Sequence, residues 1–380
     1  MKEVVIAIDS FKGSLSTFQA GKAISEGIKQ VYKDAVITIS PIADGGEGTV
    51  DAIISAVNGE KIEITVHNPL GEEIKASYGI NPATKTAIIE MSAAAGITLI
   101  DETERNPLNT TTYGVGEMIM DAIFRGCRNF VIGIGGSATN DGGVGMLQAM
   151  GFEFLDENGN QVPFGAKGLK SIVEIKTDKA LKELKECSFC VACDVKNTLC
   201  GENGCSAIYG PQKGATPEMI RDMDAWLENY ARLTKEVVCA SDANIPGTGA
   251  AGGMGFALLS YLNATLMSGI DLVIKETDLE RYIKDADLVV TGEGRLDGQS
   301  YMGKAPVGIA KLAKKYNKPV IAFSGCVTDD AVVCNEYGID AFFPIVRKPC
   351  TLEEAMNIDN AYKNLKDTAC QVFRLIKKDI

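Results

Sequence analysis

A single histidine, His67, occurs in 380 residues. One imidazole set before a turn, with no serine or cysteine motif to match it, excludes the Ser-His-Asp and Cys-His nucleophilic mechanisms. Carboxylates and lysines are left for proton transfer. Basic runs are also missing: 38 Lys and Arg stand against 50 Asp and Glu, a formal net charge of −12. Without clustered cations to displace counterions, roles on nucleic acid or on an anionic membrane are excluded. No segment approaches the ~20 consecutive apolar residues of a membrane span. Asp9 and Lys12 end the apolar start Val4–Ile8 too early for an export signal, so the chain is expected in the cytoplasm. The P-loop pattern Gly-x4-Gly-Lys-Ser/Thr is absent, and there is no internal repeat or low-complexity segment. The cysteines number 11, an odd count, and read as free thiols of a reducing compartment. Cys187, Cys190 and Cys193 have the two-residue gaps of a metal–thiolate site, but alternation along Phe189–Val195 sends Cys190 and Cys193 to opposite faces.

Glycine, by contrast, is abundant. There are 40 in the chain, where average usage of roughly 7% would give about 27, and the excess is clustered. The length suits two or three domains. Val4–Ile8 reads as a buried strand, Ser14–Tyr32 as a helix, Val36–Ser40 as the next strand, then a glycine-rich loop and a helix through Val57. Strand, crossover helix and strand make the unit of a parallel sheet covered on both faces. Lys61–Val66, Glu72–Gly79 and Lys85–Met91 are instead strands split by turn residues, as in antiparallel hairpins. Regular alternation returns with strands Ala286–Thr291, Val320–Ser324 and Ala341–Ile345 and the helix Pro306–Tyr316. The pattern predicts a discontinuous α/β domain over 1–60 and 270–380, with a second α/β domain inserted over 61–269.

The glycine clusters fall where strands meet helix starts, the edge at which open α/β sheets bind ligands. In Asp9–Ser14 (DSFKGS), Asp9 is a strand-end acid, Lys12 can sit beside phosphate, and Gly13 and Ser14 can expose amides. In Ala43–Thr49 (ADGGEGT), Asp44 and Glu47 offer oxygens suited to Mg²⁺ or a substrate hydroxyl. Gly133–Gly143 (GIGGSATNDGG) loosely matches a dinucleotide fingerprint, which would make an NAD-dependent hydroxy-acid dehydrogenase; its extra polar groups better suit phosphate or a small polyol acid. Thr291–Asp297 (TGEGRLD) carries Glu293, Asp297 and Arg295, a guanidinium suited to carboxylate or phosphate. At the end of another strand, Cys193–Asn197 (CDVKN) places Asp194 as a base or metal ligand, with Asn197 and Lys196 beside it.

Taken together, these loops resemble the type I glycerate kinase family, as do Tyr209–Gly214 (YGPQKG) and Gly249–Gly253 (GAAGG). Seven motifs in register span nearly the whole chain. One departure is Thr198, where the family commonly has proline after the asparagine. The resemblance implies a flavodoxin-like parallel-sheet domain carrying a second, restriction-enzyme-like α/β domain, with the site in the cleft between them. It implies ATP-dependent phosphorylation of D-glycerate with Mg²⁺, usually to 2-phosphoglycerate, in a monomer or homodimer. A 3-phosphoglycerate product and a non-catalytic sugar-acid sensor on the same fold stay open. On that reading Asp194, Lys12 and Asp44 are catalytic. Asp9, Glu47, Ser137, Thr139, Asn140 and Arg295 bind substrate. Gly135, Gly136, Asn197, Glu293 and Gly294 hold the nucleotide, and Asp194 and Asp297 hold the metal.

Overall fold

The computed structural model describes residues 1–42, 48–302 and 304–378. Its strands, in chain order, are β1 (Glu3–Ile8), β2 (Val36–Pro41), β3 (Glu60–His67), β4 (Glu73–Asn81), β5 (Thr86–Glu90), β6 (Asn129–Gly133), β7 (Glu153–Leu155), β8 (Glu174–Lys176), β9 (Ser188–Ala192), β10 (Thr265–Met267), β11 (Leu288–Leu296), β12 (Val320–Val327) and β13 (Ala341–Pro344). The chain divides into two compact units, one of Met1–Asp44, Ser55–Val57 and Gly269–Ile380, the other of Gly45–Ile54 and Asn58–Ser268.

The first unit is built on a five-stranded sheet in the order β13-β12-β11-β1-β2, and every pair in it is parallel. Counted by this unit's own strands the order is 2-1-3-4-5, the flavodoxin arrangement. Continuous apolar runs such as Val4–Ile8 are buried along their length, as a sheet covered on both faces requires. The helix Thr17–Lys29 starts three residues later than the apolar spacing predicts, because Ser16 caps it. Ser16 Oγ accepts from Gln19 N (3.3 Å), and Ser16 N donates to Gln19 Oε1 (2.9 Å). Its stripe of Ala20, Ala23, Ile24 and Ile28 joins Leu365, Ala369 and Phe373 of the helix Ile358–Ile376 in one core.

The second unit has a six-stranded mixed sheet, β10-β9-β6-β5-β4-β3. Antiparallel pairing of β3, β4 and β5 gives way to parallel pairing from β5 through β6 and β9 to β10. The β3–β4 hairpin is closed by Asn68, whose Oδ1 accepts from Leu70 N (2.8 Å) and Glu72 N (3.0 Å). Phe130 and Phe189, neighbours on β6 and β9, stack with centroids 4.8 Å apart inside the core. β7 and β8 form a separate two-stranded sheet whose Phe154 and Ile175 join the same core.

Gly27 is where the two long helices of the first unit approach. A Cβ there would lie 2.4 Å from the Lys366 carbonyl oxygen. Alanine's helix preference over glycine, about 1 kcal/mol, is smaller than the upper range of overpacking costs, ~1–3 kcal/mol. Gly27→Ala should therefore lower stability by up to about 2 kcal/mol. A urea midpoint that rises, at unchanged m, would contradict that contact.

Candidate active site

In the first unit the site begins with strand register. Ile6 pairs with Val290, so the chain beyond β1 runs beside the last residues of β11, and Asp9 N donates to Gly292 O at 3.0 Å. This is the point where the strand order reverses, and ligand crevices in open α/β sheets form there. Gly292 must be glycine, since a Cβ would lie 1.9 Å from Phe323 O. The turn after Asp9 is held by Phe11 and Leu15, with Phe11 N donating to Leu15 O at 2.8 Å. Gly13 takes φ +77° in that turn, a left-handed conformation that favours glycine.

Asp9, Lys12, Glu293, Gly294, Arg295 and Asp297 line one cavity of about 400 Å³. Ser300 Oγ donates to Glu293 Oε1 (2.7 Å) and lies 3.4 Å from Asp297 Oδ1. Lys304 Nζ sits 3.1 Å from Asp297 Oδ1 and 3.9 Å from Glu293 Oε2. Arg295, largely exposed, reaches Asp297 at 3.6 Å. Burial pushes Glu293 up to about 7; Ser300 and Lys304 oppose the rise, and Asp9 and Asp297 add to it. Burial acts on Asp297 too, but Lys304, the Gln299 amide and Ser300 together hold it below the ordinary carboxylate range. Neighbouring acids thus differ in protonation near neutrality, the pattern of groups prepared for proton or cation traffic.

The second unit holds the other predicted residues. Gly133–Gly143 leaves the end of β6 and leads into the helix Val144–Ala149. Thr139 and Asn140 are fully buried within it, so the loop shows Gly135 and Gly136 to solvent instead. Asn140 Nδ2 donates to Ser206 Oγ at 2.9 Å. Ser137 is 8% exposed, and its Oγ accepts from Lys213 Nζ (2.8 Å), which also donates to Thr139 O (2.6 Å). Asp141 anchors the loop from below: it accepts from Thr112 N and Oγ1 (both 2.8 Å), Gly143 N (3.1 Å) and Gly145 N (3.2 Å). Asp194 follows β9 and is exposed. Asn197 clasps its own segment, donating to Asn203 O (2.8 Å) and accepting from Tyr209 Oη (2.7 Å). Asp44 and Glu47 lie outside the described residues.

Sequence reading missed four of these groups. Ser300 and Lys304 stand three and seven residues past Asp297, on a turn and at a helix start, where no motif points to them. Lys213 lies inside the quoted YGPQKG segment, but a lysine 2% exposed is not expected from its neighbours. Burial pulls its ammonium down to about 8. Asp141 reads as a polar loop residue until its four donors are seen. The GAAGG segment also has a structural reason: Gly252 (φ +64°) lies against the same loop, where a Cβ would be 2.0 Å from Thr139 O.

A sequence profile described as the glycerate kinase family matches residues 4–377. The chain belongs to the glycerate kinase family. It is 48% identical over 363 residues to a chain named glycerate 2-kinase from Escherichia coli K12, covering 96% of this chain and 95% of that one. A glycerate kinase from Haemophilus influenzae is 47% identical over 372 residues, covering 98% of each. A crystal structure assigned as a glycerate kinase 2 from Salmonella typhimurium LT2 superposes with a TM-score of 0.92 at 44% identity, covering 100% of this chain and 99% of that one. As a member of this kinase family the chain is an enzyme, and its mixed α/β fold with a parallel sheet is the one expected. The dehydrogenase reading of Gly133–Gly143 is set aside by that membership. No helix among the described residues is long and apolar enough to cross a membrane.

Glu293 supplies a pH test of the kinase's buried acids. Its folded value of about 7 lies above its ordinary 4.5. The native state therefore binds the proton more tightly, and stability is lost as pH rises from 4.5 to 7. Glu293→Gln removes that loss. Its stability relative to wild type should grow by on the order of 3 kcal/mol between pH 4.5 and pH 8, measured by denaturant unfolding. A difference that stays flat across this window would mean that the carboxyl titrates normally.

Proposed function

We propose that the chain transfers the γ-phosphoryl group of ATP to the 2-hydroxyl of D-glycerate, giving 2-phosphoglycerate and ADP. The observation that carries the choice of position is the 48% identity with a chain named glycerate 2-kinase. The chemistry of the residues agrees. Phosphoryl transfer asks for positioning and charge neutralisation more than for covalent help, and the switch-point cavity offers Lys12, Arg295 and Lys304 beside Asp9, Glu293 and Asp297.

In this reading the glycerate hydroxyl oxygen attacks the γ-phosphorus, its proton passes to the Asp194 carboxylate, and the bond to the ADP oxygen breaks. Lys12 neutralises phosphate oxygens, with Arg295 reinforcing it. Gly135 and Gly136, the exposed part of their loop, bring backbone toward an anionic ligand. Lys213 holds that loop in shape from inside through Ser137 and Thr139. Asp44 and Glu47 keep the role of substrate-hydroxyl or metal ligands as expectations from their motif.

Magnesium commonly binds through one or two carboxylates together with substrate phosphates. Glu293 and Asp297, linked through Ser300 Oγ, are hard oxygen donors that fit this pattern, although no group of three or more such ligands occurs among the described residues. When bound, Mg²⁺ would neutralise charge on the transferring phosphate.

A coupled ADP-release assay with ATP, Mg²⁺ and D-glycerate, followed by phosphorus NMR of the product, tests this directly. The 2-phospho product is expected. A 3-phospho product would overturn the position, and glycerate binding without ADP release would favour a sensor. Asp194→Asn should lower kcat by at least about a hundredfold with the fold intact; near-normal turnover would remove it as the base.

A further inference from the structure

The switch-point cavity also has an apolar lining that glycerate does not account for. Beyond the charged groups its walls are Ile345, Val346, Leu352, Ala355 and Met356, with Asn364 beside them. Ile345 and Val346 follow β13, while Leu352, Ala355 and Met356 belong to the helix Leu352–Met356. Three of these side chains stand open to solvent, Val346 at 39%, Leu352 at 78% and Met356 at 36%. Lining one cavity, they make a surface that gains from being covered.

We infer that this apolar lining is the subsite for the purine ring of the nucleotide, with the phosphates on Lys12 and Arg295; the inference rests on ATP as the phosphoryl donor. Glycerate cannot be the occupant of the apolar wall. Each of its three carbons carries oxygen, so it has no apolar surface to bury. A nucleotide joins a flat, weakly polar ring to a polyanion, and this cavity is lined by apolar side chains as well as by cations.

The apolar and the charged lining meet at Gly13, where a Cβ would lie 2.7 Å from Met356 Cε. The methionine methyl therefore packs on the Lys12–Gly13 turn, and a methionine thioether suits a ring face. Asn364 can donate and accept at the same time, which matches the edge of an adenine. About 400 Å³ is also within the size range of small-molecule pockets.

Cys326 provides a probe that needs no mutation. It pairs with Arg295 across β11 and β12, lines the cavity and is exposed; Cys239, in the other unit, is exposed as well. The full chain is first assayed with ATP, Mg²⁺ and D-glycerate. Absence of transfer from ATP would overturn the donor reading and this inference with it. Once turnover is established, site-resolved iodoacetamide labelling is compared with and without saturating ADP. Cys326 alkylation should slow by tenfold or more while Cys239 keeps its rate. Unchanged Cys326 labelling in an enzyme that uses ATP would overturn the placement of the phosphates beside Arg295, and the subsite with it, while leaving the donor reading intact. As a second measurement, Ala355→Phe, on a half-exposed helix position, should raise the KM for ATP at least tenfold and leave the KM for glycerate within twofold. Equal changes in both constants, or none in that for ATP, would count against the assignment.

Discussion

The pairing of β1 with β11 is the contact on which the first unit's site depends. Val4, Val5 and Ile6 lie beside Leu288, Val289 and Val290, nearly the length of the chain apart. Closing so long a loop has an entropic cost, but that cost grows only slowly with length, and apolar burial along both strands offsets it. Once the register is set, Asp9 and Glu293 must emerge at the same edge. A slip of one residue would turn every side chain of the strand to the opposite face and take Glu293 out of the cavity.

Burial of charge is the second theme, and each unit carries it separately. In the first, Glu293 is desolvated among other acids and kept in place by Ser300 and Lys304. In the second, Lys213 is enclosed with a hydroxyl and a carbonyl as its hydrogen-bond partners among the described residues. Asp141 is enclosed too, with four donors. Such groups cost stability unless hydrogen-bonded, and their hydrogen bonds stiffen the loops that carry the exposed glycines. A rigid loop loses little on binding a ligand, which is the general route from packing to affinity.

Glycine serves two different purposes here. At Gly292, Gly252 and Gly27 it lets one segment of backbone lie against another where a single methyl would collide. At Gly135 and Gly136 it leaves backbone uncovered toward solvent. The same residue type in the same kind of motif is therefore structural in one place and a candidate ligand surface in another, and only the neighbours distinguish the two.

Much of the first unit's fold was legible in the order of residues. Period and run length identified Val4–Ile8 and Val320–Ser324 as buried parallel strands, and turn residues marked the antiparallel hairpin after Lys61. Asp9 and Lys12 were readable as groups following a strand, because strand ends are local features. Thr291–Asp297 reads as a loop after a strand ending at Thr291, but β11 runs on to Leu296, with Glu293 beside Ser324 and Arg295 beside Cys326 of β12, because the partner strand that extends it arrives from far along the chain. Burial and partnership are not local. Thr139 and Asn140 look like ligand groups in sequence and are sealed inside the unit; Lys213 looks like a surface lysine and lies under the same loop. Ser300 and Lys304 acquire meaning only when the turn after β11 brings them back to Glu293. Chain order thus determined which chemistry was available and on which strands, through periodicity and steric rules that act over a few residues. Tertiary structure decided which of those groups line a cavity and which are buried, since desolvation and hydrogen bonding depend on neighbours that arrive from far along the chain.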